Sequence, residues 1–248
     1  MTFSIITVVY NNIEGLKETY KSIMSQSFVD YEWIVIDGGS NDGTQAFLSS
    51  LTINNLIYIS EKDKGIYDAM NKGITLVSGN FSIFLNGGDT FYSDTVLEVV
   101  HEAIICEGNS ESVLYGGFAY FFNSGRIKEV EARDVEYILH SLPSSHQSFF
   151  YPLKFLKENQ YDLNYKVSSD YFLTVQAYIQ SYSFIKLDLT ISKFMLGGFS
   201  GKYYSLAIKE AYEIQKKILG VSYIKRILSG VKRYLAYNIM SLLNKNNF

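Results

Sequence analysis

The feature that most constrains the fold is a regular alternation of strand-like and helix-like segments through the first hundred residues. Short apolar runs predict strands, and segments with apolar residues at helical spacing predict the helices between them. In chain order the prediction is a strand at Ser4–Tyr10, a helix at Asn12–Ser27, a strand at Trp33–Ile36, a helix at Thr44–Leu51, a strand at Leu56–Ile59, a helix at Tyr67–Val77 and a strand at Phe81–Leu85. This order predicts an α/β fold whose mostly parallel sheet carries helices on both faces.

Polar clusters follow each of the four predicted strands. They are Tyr10-Asn11-Asn12, Asp37–Asp42, Glu61–Lys64 and Asn86–Asp89. Because ligands of such sheets bind beyond the carboxyl ends of the strands, the clusters predict one binding site at that edge. None of the strand ends carries G-x-G-x-x-G or G-x-x-x-x-G-K-[ST], so the sequence supports neither a dinucleotide-binding fold nor a phosphate-loop NTPase.

The strand end at Asn86-Gly-Gly-Asp89 is the most informative of the four. Gly87 and Gly88 allow a tight turn and a close approach of the backbone to a ligand. Asn86 and Asp89 supply hard oxygen atoms, which Mg²⁺ and Mn²⁺ prefer. The same four residues are also ordinary turn formers, so a plain turn is the alternative.

The remainder of the chain is predicted in less detail. A helix is predicted at Thr95–Ile105, followed by a hairpin of Val113–Phe122 and Arg126–Glu131 that turns at Asn123-Ser-Gly125. The single cysteine, Cys106, excludes an internal disulfide and a cysteine-based zinc site, and its apolar helical segment predicts a core position. Residues 203–243 are helical by pattern.

The charge is divided unevenly along the chain. The net charge of −3 combines about +7 for residues 201–248 with about −10 for residues 1–200. The basic segment interleaves cations with apolar residues, which is typical of helices that bind a membrane surface. Packing on the domain, or a contact between two copies in a homodimer, is the alternative. The acidic body argues against a nucleic-acid partner.

Neither a membrane-spanning stretch nor a signal peptide is apparent in the sequence. No run approaches the 18 or so apolar residues that a span needs, and the amino terminus lacks the basic flank of a signal peptide. We therefore expect a cytoplasmic protein, peripheral on the inner face of the bacterial cell membrane.

Several motifs together resemble a family 2 glycosyltransferase of the GT-A (Rossmann-like) fold. They are S-I-I-T-V-V-Y-N-N at 4–12, I-V-I-D-G-G-S-N-D-G-T at 34–44, E-K-D-K-G-I-Y-D-A-M-N-K-G at 61–73 and N-G-G-D at 86–89. Three later blocks resemble the fucosyltransferase branch of colanic-acid and related exopolysaccharide pathways: His140–Gln147, Tyr161–Tyr171 and Gly197–Ser200. The resemblance implies a glycosyltransferase domain at 1–200, with a nucleotide-sugar half at about 1–100, an acceptor half at about 101–200 and a helical tail at 201–248.

This resemblance implies an inverting glycosyltransferase that uses Mn²⁺ or Mg²⁺. It favours transfer of L-fucose from GDP-fucose to a lipid-linked glycan in bacterial exopolysaccharide or O-antigen assembly. One alternative is a nucleotide-sugar-binding protein without transferase activity. Another is a sugar-phosphate nucleotidyltransferase, which needs a glycine-rich loop with Arg or Lys after the first strand; Tyr10–Glu14 contains no such loop.

The resemblance also implies roles for individual acidic residues. Asp170 corresponds to the catalytic base, although the acidic residue that usually precedes it is replaced by Ser169. Capping of the following helix is the structural alternative for Asp170. Asp89 corresponds to the metal ligand of an Asp-x-Asp motif whose first position is Asn86 here, so we expect weak metal binding in the absence of donor.

Donor contacts are implied for residues at the strand ends, on the helix at 67–77 and in the loop at 146–147. They are Thr7, Val9, Tyr10, Asn11, Asp37, Asp63, Tyr67, Asp68, Asn71, Lys72, Asn86, Gly87, Gly88, His146 and Gln147. Asp37 is expected to bind the base or ribose, with a turn or helix cap as the alternative. Ser40 and Asn41, with Asp42 close behind, are predicted to cap the next helix. Gly197–Ser200 is expected to be a mobile loop that closes over the site.

Overall fold

The first half of the protein alternates strands and helices as the sequence predicts. The computed structural model describes residues 1–108, 111–122, 125–195 and 202–245, with side chains up to residue 239. The elements of this half are β1 (Phe3–Val9), α1 (Ile13–Met24), β2 (Tyr31–Asp37), α2 (Thr44–Ser50), β3 (Leu56–Ser60), α3 (Ile66–Thr75) and β4 (Phe81–Phe84). The four strands pair in parallel in the order β3-β2-β1-β4, so their carboxyl ends meet at one edge.

The sheet is covered by helices on both faces, which explains its continuous apolar strands. Every residue of β1, β2 and β4 is buried. Leu16 of α1 belongs to the cluster on one face, and Met70 of α3 belongs to the cluster on the other face. Burial of these two helix faces fixes which side of each strand end is open to a ligand.

The second half extends the same sheet with antiparallel pairs and one parallel pair. Its elements are β5 (Thr90–Phe91), α4 (Val96–Glu107), β6 (Val113–Phe121), β7 (Ile127–Val130), 3-10 turns at Val135–Leu139 and His146–Ser148, β8 (Phe149–Pro152), α5 (Leu153–Glu158), α6 (Ser169–Ile179) and β9 (Phe184–Met195). Strand β8 joins β4 antiparallel, and β6, β9 and β5 follow, with β6 and β9 parallel to each other and β7 beside β6. The predicted α/β class, a sheet flanked by helices, is confirmed.

Several details of the second half differ from the sequence prediction. Strand β9 was not predicted, because most of its side chains are only partly buried and its pattern does not alternate cleanly. Cys106 was expected in the core and is exposed, because it lies near the end of α4 on the face turned from the sheet. The β6–β7 hairpin is confirmed, but part of its predicted turn, at 123–124, lies outside the described residues.

The segment after residue 201 forms two helices, α7 (Tyr204–Lys217) and α8 (Tyr223–Lys245). Helix α7 packs on α6, where Ala211 and Ile214 share a buried cluster with Tyr171 and Val175. Within the described residues, no helix combines the length and the apolar character that crossing a membrane requires. The predicted closing loop at Gly197–Ser200 lies outside the described residues.

Candidate active site

Asp37 ends β2 with a fully buried carboxylate. The Ser40 N–H donates to its two oxygens at 3.1 and 3.2 Å, and the hydroxyls of Ser40 and Ser60 also donate to it. The predicted turn role of Asp37 is therefore present. Its contact with a donor base or ribose remains a prediction.

The loop after β2 corrects one sequence prediction. Ser40 and Asn41 do not cap α2; the Ser40 hydroxyl bonds to Asp37 and accepts from the Asn11 N–H at 2.7 Å. The Asn41 N–H donates to the Asn11 side chain at 2.9 Å. The carboxylate at the helix start is Asp42, which accepts from the Thr44 N–H at 3.1 Å. These bonds tie the loops after β1 and β2 to each other.

Tyr10, Gly38 and Asp63 converge beyond the ends of β1, β2 and β3. A side chain at position 38 would place its Cβ 2.5 Å from Asp63 Oδ2 and 3.2 Å from the Tyr10 ring, so it would displace the Asp63 carboxylate. Asp63 Oδ1 accepts from the Gly65 N–H at 2.8 Å. Tyr10 is 65% exposed and offers an aromatic face to a ligand at this edge.

Thr7 and Val9 lie deeper than the sequence prediction implied. The Thr7 hydroxyl accepts from the Trp33 indole at 2.9 Å and is fully buried between helices and sheet. Its side chain is therefore a core contact and not a donor contact. Val9 is 6% exposed and packs behind Gly87, so it supports the strand-end loop from below.

The predicted binding face of α3 is divided between two tasks. Lys72 pairs with Glu61 at 2.7 Å, and Asp68 accepts from the Lys64 N–H at 3.0 Å, so both hold the loop after β3. Asn71 exchanges two hydrogen bonds with the main chain of Tyr161, at 2.9 and 2.8 Å. The amide of Asn71 is thereby used to join α3 to the second half of the fold, so the structure accounts for it without a donor.

Tyr67, on the same helix, is buried and faces the second half. Its hydroxyl donates to the Val167 carbonyl at 2.8 Å and lies 3.4 Å from Asp170 Oδ1. Burial, followed by the charge of Asp170, raises the pKa of Tyr67 well above its usual value, so the phenol stays protonated. Tyr67 therefore contacts the candidate base, and its contact with a donor stays a prediction.

The Asn86–Asp89 loop turns at Gly88, whose φ of +106° favours glycine. Asp89 Oδ2 accepts from the Asn86 N–H at 3.1 Å and from the Gln147 side chain at 3.0 Å. Burial raises the pKa of Asp89, against the hydrogen bond from Gln147. The Thr19 hydroxyl of α1 accepts from the Gly88 N–H at 2.9 Å, a support that the sequence did not reveal because helical spacing predicts Thr19 only as a helix residue.

The oxygen atoms of this loop fit a weakly held divalent cation. Asn86 Oδ1 is buried and has no hydrogen-bond partner among the described residues. In the part of the chain that the structure describes, no group of three or more His, Cys, Asp or Glu side chains gathers into a metal site. A cation held by Asn86 and Asp89 would need oxygen atoms from a bound diphosphate to complete its coordination, as is usual for Mg²⁺.

His146 connects the Asn86–Asp89 loop to Asp170. Its Nε2 lies 3.3 Å from the Asn86 amide nitrogen, and its Nδ1 lies 3.5 Å from Asp170 Oδ2. Because the amide nitrogen can only donate, the hydrogen-bond pattern assigns the proton of a neutral His146 to Nδ1, facing Asp170. One imidazole thus spans the distance between the candidate metal loop and the candidate base.

Asp170 lies in the first turn of α6, where the helix dipole favours an anion. It opens onto a cavity of about 740 Å³. Aromatic rings form much of the wall: Phe118, Tyr120, Tyr137, Phe194, Tyr204 and Tyr237. Basic side chains also line it: Arg133, Lys202, Lys232 and Arg233. The cavity can therefore surround a ligand that combines flat sugar faces with negative charge.

The C-terminal helices are bound to the cavity wall through one carbonyl. The His140 carbonyl accepts from Gln215 of α7 at 2.8 Å and from Ser229 of α8 at 2.8 Å. Arg233 donates to it from Nε at 3.1 Å and from Nη2 at 2.6 Å, and its guanidinium lies 5.2 Å from the Tyr171 ring centre. These contacts show that α7 and one side of α8 pack on the domain, which is one of the alternatives that the sequence left open for the tail.

A family model supplies the comparison that decides the class of protein. The model described as "Glycosyl transferase family 2" matches residues 4–172. This chain belongs to glycosyl transferase family 2. The match covers β1 to the start of α6, and it includes every residue placed above at the donor edge, together with Asp170.

Curated relatives agree with the family. An uncharacterized glycosyltransferase of Mycobacterium tuberculosis is 33% identical over 172 residues, covering 68% of this chain and 66% of the relative, which is just under two thirds of its length. A "PGL/p-HBAD biosynthesis glycosyltransferase" of Mycobacterium bovis is 31% identical over 181 residues, covering 71% of this chain and 69% of the relative.

Solved structures of the same fold confirm the GT-A-like architecture. S. aureus TarS 1-349 in complex with UDP-GlcNAc superposes with a TM-score of 0.68 at 16% identity, covering 95% of this chain and 73% of TarS 1-349. A mannosyltransferase of Pyrobaculum calidifontis, in complex with GDP-Man and Mn2+, gives 0.62 at 12% identity, covering 98% and 79%. At these identities the similarity concerns the fold alone.

Proposed function

We propose that this chain is an inverting glycosyltransferase that moves a sugar from a nucleotide-sugar donor to a lipid-linked glycan in bacterial exopolysaccharide or O-antigen assembly. The observation that carries the proposal is the contact series from Asn86 through His146 to Asp170. It brings a loop suited to a diphosphate-bound cation near the Asp170 carboxylate, which opens into a cavity. Transfer with inversion needs a base on the side of the reacting carbon opposite the departing diphosphate.

The donor is proposed to lie along the strand ends of the first half. Tyr10 and the carboxylates of Asp37 and Asp63 are proposed to contact the base and ribose, since carboxylates accept from N–H and O–H groups. For the buried Asp37, bonds from the donor would replace those from the Ser40 and Ser60 hydroxyls. The diphosphate would face Asn86, Gly87, Gly88 and Asp89, with Gln147 and His146 beside it. A Mg²⁺ or Mn²⁺ ion held by Asn86 and Asp89 would neutralise charge on the departing diphosphate.

In the proposed chemical step, the acceptor hydroxyl attacks the anomeric carbon of the donor sugar. Asp170 accepts the proton of the acceptor hydroxyl as that oxygen forms a bond to the anomeric carbon. The bond from the anomeric carbon to the diphosphate oxygen breaks, and its electron pair leaves with the nucleoside diphosphate. His146, through Nδ1–H, and Tyr67, through its hydroxyl, hold Asp170 in place by contacts at 3.5 and 3.4 Å.

GDP-fucose is the proposed donor within this class. The support is the resemblance of His140–Gln147, Tyr161–Tyr171 and Gly197–Ser200 to the fucosyltransferase branch. The first two of these blocks contribute His146, Gln147 and Asp170 to the site described above. The resemblance that supports GDP-fucose therefore includes residues that form the proposed reaction centre.

Helix α8 supports the proposal of a lipid-linked acceptor at the inner face of the membrane. Its residues Lys232, Arg233, Ala236 and Tyr237 line the cavity. A second face of the helix exposes large apolar side chains: Ile224, Ile227, Leu228, Val231, Leu235 and Ile239. An acceptor whose sugar enters the cavity while its lipid stays in a bilayer would use both faces of one helix. Homodimerisation through the exposed face is the competing outcome.

The test of the proposed function is nucleotide release from a panel of UDP-, GDP- and dTDP-sugars with and without Mn²⁺. We expect metal-dependent release from one donor, and we expect Asp89→Asn to lose that release. Thermal shift on the same panel tests binding where release needs an acceptor, since a ligand of the folded state raises Tm. If no nucleotide sugar is cleaved and none raises Tm, the proposal is wrong; binding without cleavage, even with acceptor glycolipid present, would indicate a binding protein.

A further inference from the structure

The chain that leads into α6 is held by a carboxylate from α7. Glu210 is 8% exposed and accepts three main-chain hydrogen bonds, from Lys166 at 2.8 Å, Val167 at 2.9 Å and Ser168 at 2.8 Å. Ser168, the N-cap residue of α6, makes no side-chain cap bond. Glu210 therefore accepts, from another helix, the Ser168 N–H at the start of α6 and the two N–H groups of the chain that leads into it.

The segment at 166–168 is also the segment from which Asp170 is placed. The Val167 carbonyl accepts from the Tyr67 hydroxyl, which lies 3.4 Å from the Asp170 carboxylate. The Ser168 hydroxyl donates to the Ala207 carbonyl of α7 at 3.2 Å, which gives the same segment a second link to that helix. A shift of this main chain would move both Asp170 and the carbonyl that orients its phenol neighbour.

The chemistry of Glu210 differs from that of the next acidic residue on α7. Glu213 pairs with Lys217 at 2.9 Å, with its side chain 34% exposed. Glu210 instead places its carboxyl group in a buried position against main-chain N–H groups, an arrangement that costs desolvation and needs all of its donors in place. The three N–H groups lie immediately before the turn that carries Asp170. Support of that turn explains why a buried carboxylate is found here.

We propose that Glu210 is a positioning residue, which fixes the main chain at 166–168 so that the Asp170 carboxylate faces the acceptor cavity. The C-terminal helices are then part of the catalytic unit and not only a membrane-binding tail. This inference rests on the proposed role of Asp170 as the base.

The test compares Glu210→Gln with Glu213→Gln, a change of the same kind on the same helix. We expect Glu210→Gln to lower kcat for nucleotide release by about tenfold to a hundredfold, because a small displacement of a reacting group has effects of that order. The donor KM should stay within about twofold, since Glu210 does not touch the donor edge. Glu213→Gln should match the wild type in both constants.

A double variant separates positioning from general loss of stability. In the Asp170→Asn background, Glu210→Gln should cause no further loss of kcat, because the group it positions is already removed. A purely structural role would lower the rate by the same factor in both backgrounds. Hydrogen exchange of the amides at 166–168 should rise in Glu210→Gln and not in Glu213→Gln.

Two outcomes overturn the inference and leave the proposed function standing. They are wild-type kcat in a folded Glu210→Gln protein, and equal loss in both backgrounds of the double variant. If Glu210→Gln does not fold, Glu210→Asp, which keeps the charge but shortens its reach, carries the same comparison. Unchanged activity in Asp170→Asn alone would instead remove the proposed base, and with it the basis of the inference.

Discussion

The donor edge and the acceptor side of this site are built in different ways. At the donor edge several bonds stay within the first ninety residues, either between neighbouring loops, as between Asn11 and Ser40, or within one loop, as between Asp63 and Gly65. The bond from Gln147 to Asp89 is an exception that reaches the second half. On the acceptor side the bonds join distant parts of the chain, as between Tyr67 and Val167 or Glu210 and Ser168. The first region depends on local motifs, whereas the second depends on the packing of the whole second half.

Because of this contrast, we expect substitutions in the two regions to have different kinetic effects. Substitutions at the donor edge should alter nucleotide binding, because each loop there carries its own supports. Substitutions on the acceptor side should alter kcat at a distance, because the position of Asp170 is set by residues from three helices. The predictions below test that division, beginning with the largest effect.

Asp170→Asn should lower kcat by about a thousandfold, since a general base contributes between a hundredfold and ten-thousandfold. Donor binding, measured by thermal shift, should be unchanged because Asp170 lies outside the donor edge. Asp162→Asn is the matched control: Asp162 accepts from the Asn164 N–H at 2.9 Å in the loop before α6. Equal activities of the two variants would show that Asp170 is not the base.

Glu32→Ala should lower the free energy of unfolding by about 2 kcal/mol, because it removes charged hydrogen bonds that are buried. The Glu32 carboxylate accepts from Ser78 N–H at 2.6 Å and from Gly79 N–H at 3.1 Å, at the amino ends of the parallel strands and therefore opposite the donor edge. Chemical denaturation of both proteins at pH 7 measures the difference. If the folded variant also lost kcat, the proposed division between the donor edge and the acceptor side would not hold.

The same carboxylate gives a pH dependence with a defined sign. Burial acts to raise the pKa of Glu32, but its hydrogen bonds from Ser4, Ser78 and Gly79 outweigh burial and lower it below its usual 4.5. Its stabilising contribution is therefore full above pH 4.5 and is lost as the pH falls through the lowered pKa. The difference in unfolding free energy between wild type and Glu32→Gln should shrink below pH 4.5. A constant difference would contradict this account.

His146→Ala should lower kcat by about tenfold, the value of one hydrogen bond to a charged group. It should also weaken donor binding, because the ring contacts Asn86 at the donor edge as well as Asp170. His146 contacts both regions, so we expect its substitution to affect donor binding and kcat together. His101→Ala is the control: its ring packs on Phe28 at 4.4 Å on α4, and its loss should leave kinetics unchanged.

Lys232→Glu should raise the KM for an anionic glycolipid acceptor about fivefold, by reversing a charge at the cavity wall. The donor KM should not change. Lys216→Glu, the same charge reversal on α7 away from the cavity lining, should leave both constants unchanged. Equal effects from both lysines would indicate that overall charge, and not the cavity, attracts the acceptor.

The sequence allowed much of the donor edge to be predicted, because its signals are local. Apolar runs located β1 to β4, and the polar clusters after them converge as expected. Thr7 was misplaced because a threonine in an apolar run can bond inside the core, here to the Trp33 indole. Ser40 and Asn41 were misassigned because turn and cap chemistry use the same residue types.

The acceptor side was less predictable, because its supports come from long-range pairing. Asp170 was found only through the family resemblance, and Glu210 and Arg233 were read merely as charges of a basic amphipathic tail. Nothing in the local pattern of α7 distinguishes Glu210 from Glu213. The distinction arises only when α7 packs against α6, which no periodicity in a single sequence reports.

The His140 carbonyl, on which Gln215, Ser229 and Arg233 converge, has a genetic consequence. Because the acceptor atom belongs to the main chain, any amino acid other than one that distorts the backbone can supply it. A substitution at position 140 therefore keeps this acceptor atom, although it changes a side chain that lines the cavity and packs on Tyr137. Inserting or deleting one residue between 138 and 142 should, by contrast, break this joint, because it moves the carbonyl oxygen away from Gln215, Ser229 and Arg233. Helix α7 should stay attached to α6 through Glu210 and the buried cluster around Ala211.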